Sequence, residues 1–421
     1  TINQLFQRSN CPFLLDTSDN NSLTRCKIMI KKIAFITKGF TGSILPLVKN
    51  FVLKGYDVDI YLFNYICITE LEAFDCNYRA EKYGVEEINI KNWSNTYEYF
   101  NTKSSIRLFS LKMPRPYSSI PVLFDVIKLI DLPYVIRSCK FINDQKYNFV
   151  NIVCGYYSFE YLPFLKRLNS KIIVSLHEVC NHFSPDFNKP SKLLKYLFKN
   201  KIDCVIYSDN SLMDILKYKD VSKSNLFRVN FGLFDSYRSI GYKESFNLPA
   251  DYILFFGSIV SYKGLGILCE AIKQINNNVQ FVIAGKGDDP SLEELGLMKN
   301  VTIINRRLSN SELCEVISKC SLVVCPYLTM SQSGIPQTVF TFGKPIVASD
   351  LFGFQEIISN GENGLLFKCG DSSSLARCIN DFISNDELRK KIYHNIRRFE
   401  FLHKDYSWDE IADFYVNNFI K

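Results

Sequence analysis

The stretch Ser331-Gln332-Ser333-Gly334-Ile335 follows the apolar run Ser321–Tyr327 and runs into Pro336. Hydroxyls, a glycine and unbonded amides at a helix start are groups that hold an anion, and Pro336 suits a first helical turn, where its missing N–H is not needed. Met330–Lys344 contains no acidic residue. An ordinary serine-capped helix would use the same residues.

Other stretches have comparable chemistry. In Gly257-Ser258-Ile259-Val260-Ser261-Tyr262-Lys263-Gly264 a strand ends at Gly257, and Lys263 falls where a helix begins. A lysine there adds a point charge to free backbone N–H groups, a combination that holds phosphate. Taken alone, it fits a solvated surface lysine better. Gly285-Lys286-Gly287 follows the strand pattern Val279–Ala284 and permits either close backbone approach or a plain tight turn. His177-Glu178 ends another strand, with His182 beyond. The pair suits substrate orientation or proton transfer, and equally a histidine bonded to backbone.

Metal and redox chemistry find little support. Four histidines are dispersed, and the 14 cysteines never form a CxxC pair, so they read as buried thiols of a reducing compartment. A net charge of +7 favours anionic partners such as nucleotide phosphates or an acidic lipid face, without the strong basic bias of a nucleic-acid binder. No run reaches the roughly 18 apolar residues of a membrane span. The basic, aromatic segment Lys103–Lys140 suits peripheral contact with an inner membrane face, although a buried helix pair fits its apolar run better.

The elements that would position these residues follow from periodicity. Lys32–Thr37 reads as a strand, Ile44–Gly55 as a helix closed by glycine, and Asp57–Phe63 as a second strand, a βαβ unit that implies a parallel sheet. Apolar runs at 149–155, 171–178 and 203–209 continue this half, and runs at 252–258, 279–287, 301–305 and 321–327 build another. The expectation is an α/β protein of two Rossmann-like, parallel-sheet domains facing a cleft, with ligands at the carboxyl ends of the strands. Its divisions are 29–236, 237–404 and a terminal helix 405–421. Residues 1–28 lack a usable period and the layout of a signal peptide, and are expected to be a disordered upstream extension before Met29.

Read in order, the stretches Leu254–Ile272, Phe281–Asp288, Val301–Leu313 and Ser321–Phe367 resemble the carboxyl-terminal domain of glycosyltransferase family 4, of two-domain GT-B architecture. Arg228–Arg238 is similar to the family's domain crossing. The resemblance implies a retaining, metal-independent sugar transferase with no cofactor, using a nucleotide-diphosphate sugar as donor and a glycan or lipid-linked acceptor in surface-polysaccharide or glycoconjugate assembly. It implies that Lys263 neutralises the donor diphosphate, that Gln332, Ser333, Gly334 and Ile335 present the phosphate loop, and that Arg306 and Leu308 contact the base. Gly42, Gly257, Ser258, Gly285 and Gly287 join the donor-binding set, and His177 lines the sugar and acceptor side. The terminal helix around Trp408 would return to the first domain. A cytoplasmic setting follows, with no nucleic-acid partner.

The departures from the family pattern concern the paired glutamates, here Met330 and Thr338, and an arginine, here Ser258. The sequence is similar to a subset carrying Ser-Gln-Ser-Gly without those glutamates. They motivate an alternative, a non-catalytic or partner-dependent GT-B protein that binds a nucleotide or glycan.

Overall fold

In the computed structural model the described residues are 31–420, except 40, 65–68, 72–75, 93, 101–105, 115–122, 156–157, 178, 180–190, 219–222, 277 and 331–332. The expected extension 1–28, Glu178, His182, Ser331 and Gln332 therefore lie outside them.

The first domain contributes β1 (Lys32–Thr37), β2 (Asp57–Asn64), β3 (Thr69–Leu71), β4 (Cys76–Tyr78), β5 (Gly84–Ile88), β6 (Ile106–Lys112), β7 (Phe149–Cys154), β8 (Lys171–Leu176), β9 (Asp203–Ile206) and β10 (Leu226–Arg228). Eight of these form one sheet in the order β10-β9-β8-β7-β1-β2-β6-β5, while β3 and β4 pair separately. All its pairings are parallel except β5 with β6, a departure from a purely parallel expectation. β1 and β7 are apolar along nearly their whole length because helices cover both faces of a parallel sheet, and one buried cluster lies on each face.

The second domain contributes β11 (Ile253–Phe256), β12 (Phe281–Ala284), β13 (Val301–Ile304), β14 (Leu322–Cys325), β15 (Ile346–Ser349) and β16 (Leu365–Phe367), all parallel, in the order β13-β12-β11-β14-β15-β16. This is the doubly wound order, and chain direction across the sheet reverses between β11 and β14.

The crossing at Val229–Phe234 leads into the short helix Ser236–Ile240, inside which the expected division at 236–237 falls. The terminal helix Trp408–Phe419 buries Trp408, Ile411, Tyr415 and Phe419 in the cluster that holds β1 and the helix Thr41–Leu53. Trp408 Nε1 donates to the Leu233 carbonyl at 2.6 Å, and the Tyr415 hydroxyl lies 3.0 and 3.1 Å from those of Ser175 and Tyr207. Of the segment 103–140, the described part of the helix Leu123–Asp144 buries Val135 and Cys139 in the core and leaves Ile130 and Ile136 exposed. No helix among the described residues is long and apolar enough to cross a membrane.

Candidate functional site

At the reversal point, Gly257 follows β11 and Pro326-Tyr327 follows β14. The turn Ser261–Lys263 ends at Gly264, whose φ of 70° is left-handed. A Cβ on Gly264 would stand 1.9 Å from the Pro326 carbonyl oxygen, so only glycine lets the two loops meet. Leu328 N–H also donates to the Tyr262 carbonyl at 2.7 Å. This seam turns Lys263 inward. Its side chain is buried, with Nζ 5.3 Å from the centre of the Tyr327 ring and against Gly257, where an added Cβ would lie 2.8 Å from it. Burial lowers the Lys263 pKa. An anion beside the ammonium would favour its charged form. The cation is thus held by a π face and a backbone gap instead of a carboxylate.

Gly285 and Gly287 serve close approach. Added Cβ atoms would lie 1.7 Å from the Gly257 oxygen and 1.8 Å from the Ile259 oxygen. Gly257 N–H donates to Ala284 and Ile259 N–H to Lys286, locking the loops after β11 and β12 edge to edge. Ser258 is exposed on this seam. Asn305 pairs with both backbone groups of Gly287, at 3.2 and 3.1 Å, and extends the seam to the loop after β13.

Arg306 follows directly. Glu312 engages its guanidinium with two bonds of 2.9 and 2.6 Å, and Phe246 lies 5.2 Å beneath it. That pairing drives the Glu312 carboxyl down to about 2. Glu312 also closes a capping box with Ser309 on the helix Asn310–Lys319. Leu308 packs half-buried on the core of the second domain.

On the loop after β14, Ser333 Oγ accepts from Ile335 N–H at 3.2 Å. The helix Ile335–Thr341 then begins, with Pro336 in its first turn. A Cβ on Gly334 would stand 2.7 Å from the Phe234 ring, so glycine is what brings this loop against the domain crossing. Thr338 Oγ1 bonds back to the Gly334 carbonyl at 2.9 Å.

His177 is buried beside two rings, Tyr207 at 5.2 Å and Phe231 at 5.0 Å between centroids, and these two stack at 4.1 Å. Burial pushes its pKa down to about 3, so the imidazole is neutral near pH 7. Phe231 meets Phe234 edge-on at 5.7 Å, and Phe234 touches Gly334. An aromatic chain thus joins His177 to the loop. Gly42, in the first turn of its helix, lies under Tyr237, whose hydroxyl would be 3.3 Å from an added Cβ.

The structure therefore gathers Gly257, Lys263, Gly285, Gly287, Ser333 and Gly334 around one reversal point, with His177 linked through aromatic rings. Sequence reasoning missed Tyr327, Asn305, Phe231 and Phe234. Tyr327 had a readable signal, since it directly follows a strand at its carboxyl end, where open α/β sheets place ligand contacts. The cluster Cys269, Glu270 and Glu294 groups possible metal-binding atoms, but Lys273 sits between its carboxylates at 2.6 and 2.7 Å.

Comparison with known proteins bears on the fold that carries this geometry. Residues 250–385 match the family model described as glycosyl transferases group 1. An uncharacterized glycosyltransferase of Methanocaldococcus jannaschii is 30% identical over 225 residues, covering 51% of this chain and 60% of the relative. The phosphatidyl-myo-inositol mannosyltransferase of Mycobacterium leprae is 27% identical over 135 residues, 31% of this chain and 36% of that protein. The matches thus span less than two thirds of these relatives' lengths. Among solved structures, HepE of Anabaena, in complex with UDP and glucose, superposes with a TM-score of 0.62 at 15% identity, covering 92% of this chain and all of that one. The fold is GT-B.

Proposed function

We propose that this protein is a glycosyltransferase that moves a sugar from a nucleotide-diphosphate sugar to a glycan or lipid-linked acceptor, with retention and without a metal. The observation that carries this reading is Lys263, a buried cation at the reversal point of the sheet, within the segment that matches glycosyl transferases group 1. As the bond between the anomeric carbon and the leaving phosphate oxygen breaks, negative charge grows on the diphosphate. Lys263 Nζ and the amides of residues 333–335 would stabilise that charge as fixed, preorganised groups. The acceptor hydroxyl oxygen bonds to the same carbon on the same face, and its proton passes to the departing phosphate oxygen.

In this reading Gly257, Ser258, Gly285 and Gly287 line the diphosphate and sugar, and the loop at Arg306 and Leu308 borders the base. His177, neutral and held by rings, orients the sugar and acceptor side and does not act as an imidazolium acid. The mannosyltransferase among the relatives supports a lipid-linked acceptor. Nine cysteines, from Cys139 to Cys378, are free thiols, which supports a cytoplasmic setting.

The test is turnover with a panel of nucleotide sugars, including slow donor hydrolysis, for the wild type and Lys263→Ala. Loss of one preorganised donor to the leaving group is expected to lower turnover by about 10²- to 10³-fold. Full activity in Lys263→Ala would refute the diphosphate assignment. Donor binding without turnover on any acceptor would favour the binding-protein alternative.

A further inference from the structure

The second domain carries a group of cations that no carboxylate answers, and it lies away from Lys263. At the amino ends of β14 and β15 a cavity of about 480 Å³ is lined by Arg238, Thr341, Gly343, Lys344, Tyr393 and Arg397. The reversal point is at the other end of these strands, and a strand of four residues spans about 13 Å. Lys344 Nζ donates to the Cys320 carbonyl at 2.7 Å, and Arg238 Nε donates to the Thr341 carbonyl. Both bonds orient a cation without neutralising it. Arg397, in the last turn of the helix Asp386–Arg397, is exposed and has no hydrogen bond or ion pair among the described residues. Burial raises the Glu400 pKa and Arg238 opposes that rise, yet the two form no ion pair among the described residues.

A basic residue at a helix C-terminus answers the helix dipole. The helix ends at Thr341 and Arg397 would each be answered by one cation, whereas three share this cavity. Tyr393 and Arg397 also line a second cavity of about 520 Å³, with Arg389 and Lys390. There Asp386 pairs with Arg389 and Glu387 with Lys390, so the excess of positive charge belongs to the first cavity, and Arg397 stands where the two meet.

We infer that Arg238, Lys344 and Arg397 form a binding site for a ligand that presents adjacent phosphate groups, separate from the donor site. Guanidinium groups match phosphate oxygens with paired, charge-assisted bonds, and the ammonium adds a point charge. A cleft lined by one sign of charge concentrates the opposite ion. The site shares no residue with the reversal point and does not depend on the donor reading. Its phosphates belong to a free ligand or to lipid headgroups. Phe401 and Leu402, exposed four and five residues past Arg397, suit the second source.

Calorimetry with inorganic pyrophosphate tests the site in Lys263→Met, which removes the ammonium at the reversal point and keeps much of its buried stem. Pyrophosphate is expected to bind this variant. Adding Arg397→Gln or Lys344→Gln weakens binding by about tenfold or more, the loss of one charge-assisted bond. Arg397→Gln breaks no polar contact of the fold, and Lys344→Gln keeps a donor for the Cys320 carbonyl. Lys299→Gln removes the same charge from an exposed position before β13 and is expected to leave affinity within about twofold. Absence of pyrophosphate binding, or equal losses in Arg397→Gln and Lys299→Gln, overturns the site.

Co-sedimentation with phosphatidylcholine vesicles, with and without phosphatidylglycerol, separates the two sources. Retention on the anionic vesicles that both Arg397→Gln and free pyrophosphate abolish assigns the phosphates to headgroups. Pyrophosphate binding without such retention assigns them to a free ligand. Vesicle retention without pyrophosphate binding overturns the cavity in favour of a flat charged face.

Discussion

His177 shows how environment sets what a residue can do. Its sequence neighbourhood suited either an acid–base pair or a structural histidine, and the rings of Tyr207 and Phe231 resolve its charge state. The folded pKa of about 3 lies below the ordinary value near 6.5, so the unfolded chain binds more protons between those limits. Stability then rises with pH across this window and falls as pH drops from about 6.5 towards 3, by up to roughly 1.4 kcal/mol per unit. His177→Gln removes that titration, and its denaturation midpoint is expected to vary less with pH between 4 and 6.5. An unchanged slope would show that other groups dominate. Lys263 taken alone read as a solvated surface lysine and became a candidate only through the family resemblance, while the fold buries it. Tyr327 was not singled out, because its place after a strand, though readable as a ligand position, fits a core ring equally until the lysine is seen folded over it.

At the scale of elements, apolar runs and glycine stops made β1, β2, β7, β8, β9 and β11 to β14 legible. The strands β5, β6 and β10 were not read, since β5 and β10 are short and β6 carries the charged residues Arg107 and Lys112 within its apolar run, and the antiparallel direction of β5 leaves no periodic trace. Nor was the polar network under the first sheet. Asp59 on β2 is 1% exposed, and Arg107 on β6 grips it with two bonds of 2.8 and 2.6 Å. Lys32 approaches it at 3.3 Å, and the Tyr147 hydroxyl donates to the same carboxylate. In sequence these residues lie far apart, and Asp59 looks like the exposed position of an alternating strand. Removing one partner of a buried pair leaves the other uncompensated, at a cost of about 3–5 kcal/mol. Arg107 keeps a third of its side chain in solvent, which places the effect at or below the lower end. Asp59→Ala is therefore expected to lower the chemical-denaturation midpoint clearly while leaving nucleotide affinity in the second domain intact. A midpoint within error of wild type would mean that water compensates Arg107 fully.

Across the whole molecule, the domains meet at a polar seam centred on Glu356, and the loop after β14 is tied into it. Glu356 Oε1 accepts from the amides of Asp209 and Asn210 at 3.0 and 3.2 Å, in the first turn of the helix Asp209–Leu216. Its Oε2 accepts from Arg228 at 3.1 Å, and Arg228 also binds Asp209 at 2.8 Å. Asn210 Nδ2 reaches the Met330 carbonyl at 3.1 Å, just before the loop that carries Ser333. Burial raises the Glu356 pKa, while Arg228 and the amides of Asn210 and Asp209 oppose the rise. Glu356→Gln keeps an acceptor for the amides but removes the charge opposite Arg228. Charge-assisted bonds contribute about 1.5–3 kcal/mol, so the seam should loosen measurably. Lys263 and its π contact lie entirely within the second domain, so nucleotide affinity should hold within about twofold while kcat/KM falls about tenfold or more, because groups of the first domain are no longer held over the donor. Small-angle scattering would show a larger radius of gyration in the variant. Equal losses of nucleotide affinity and kcat/KM, with an unchanged radius, would instead place Glu356 in the support of the second domain and remove it from domain closure.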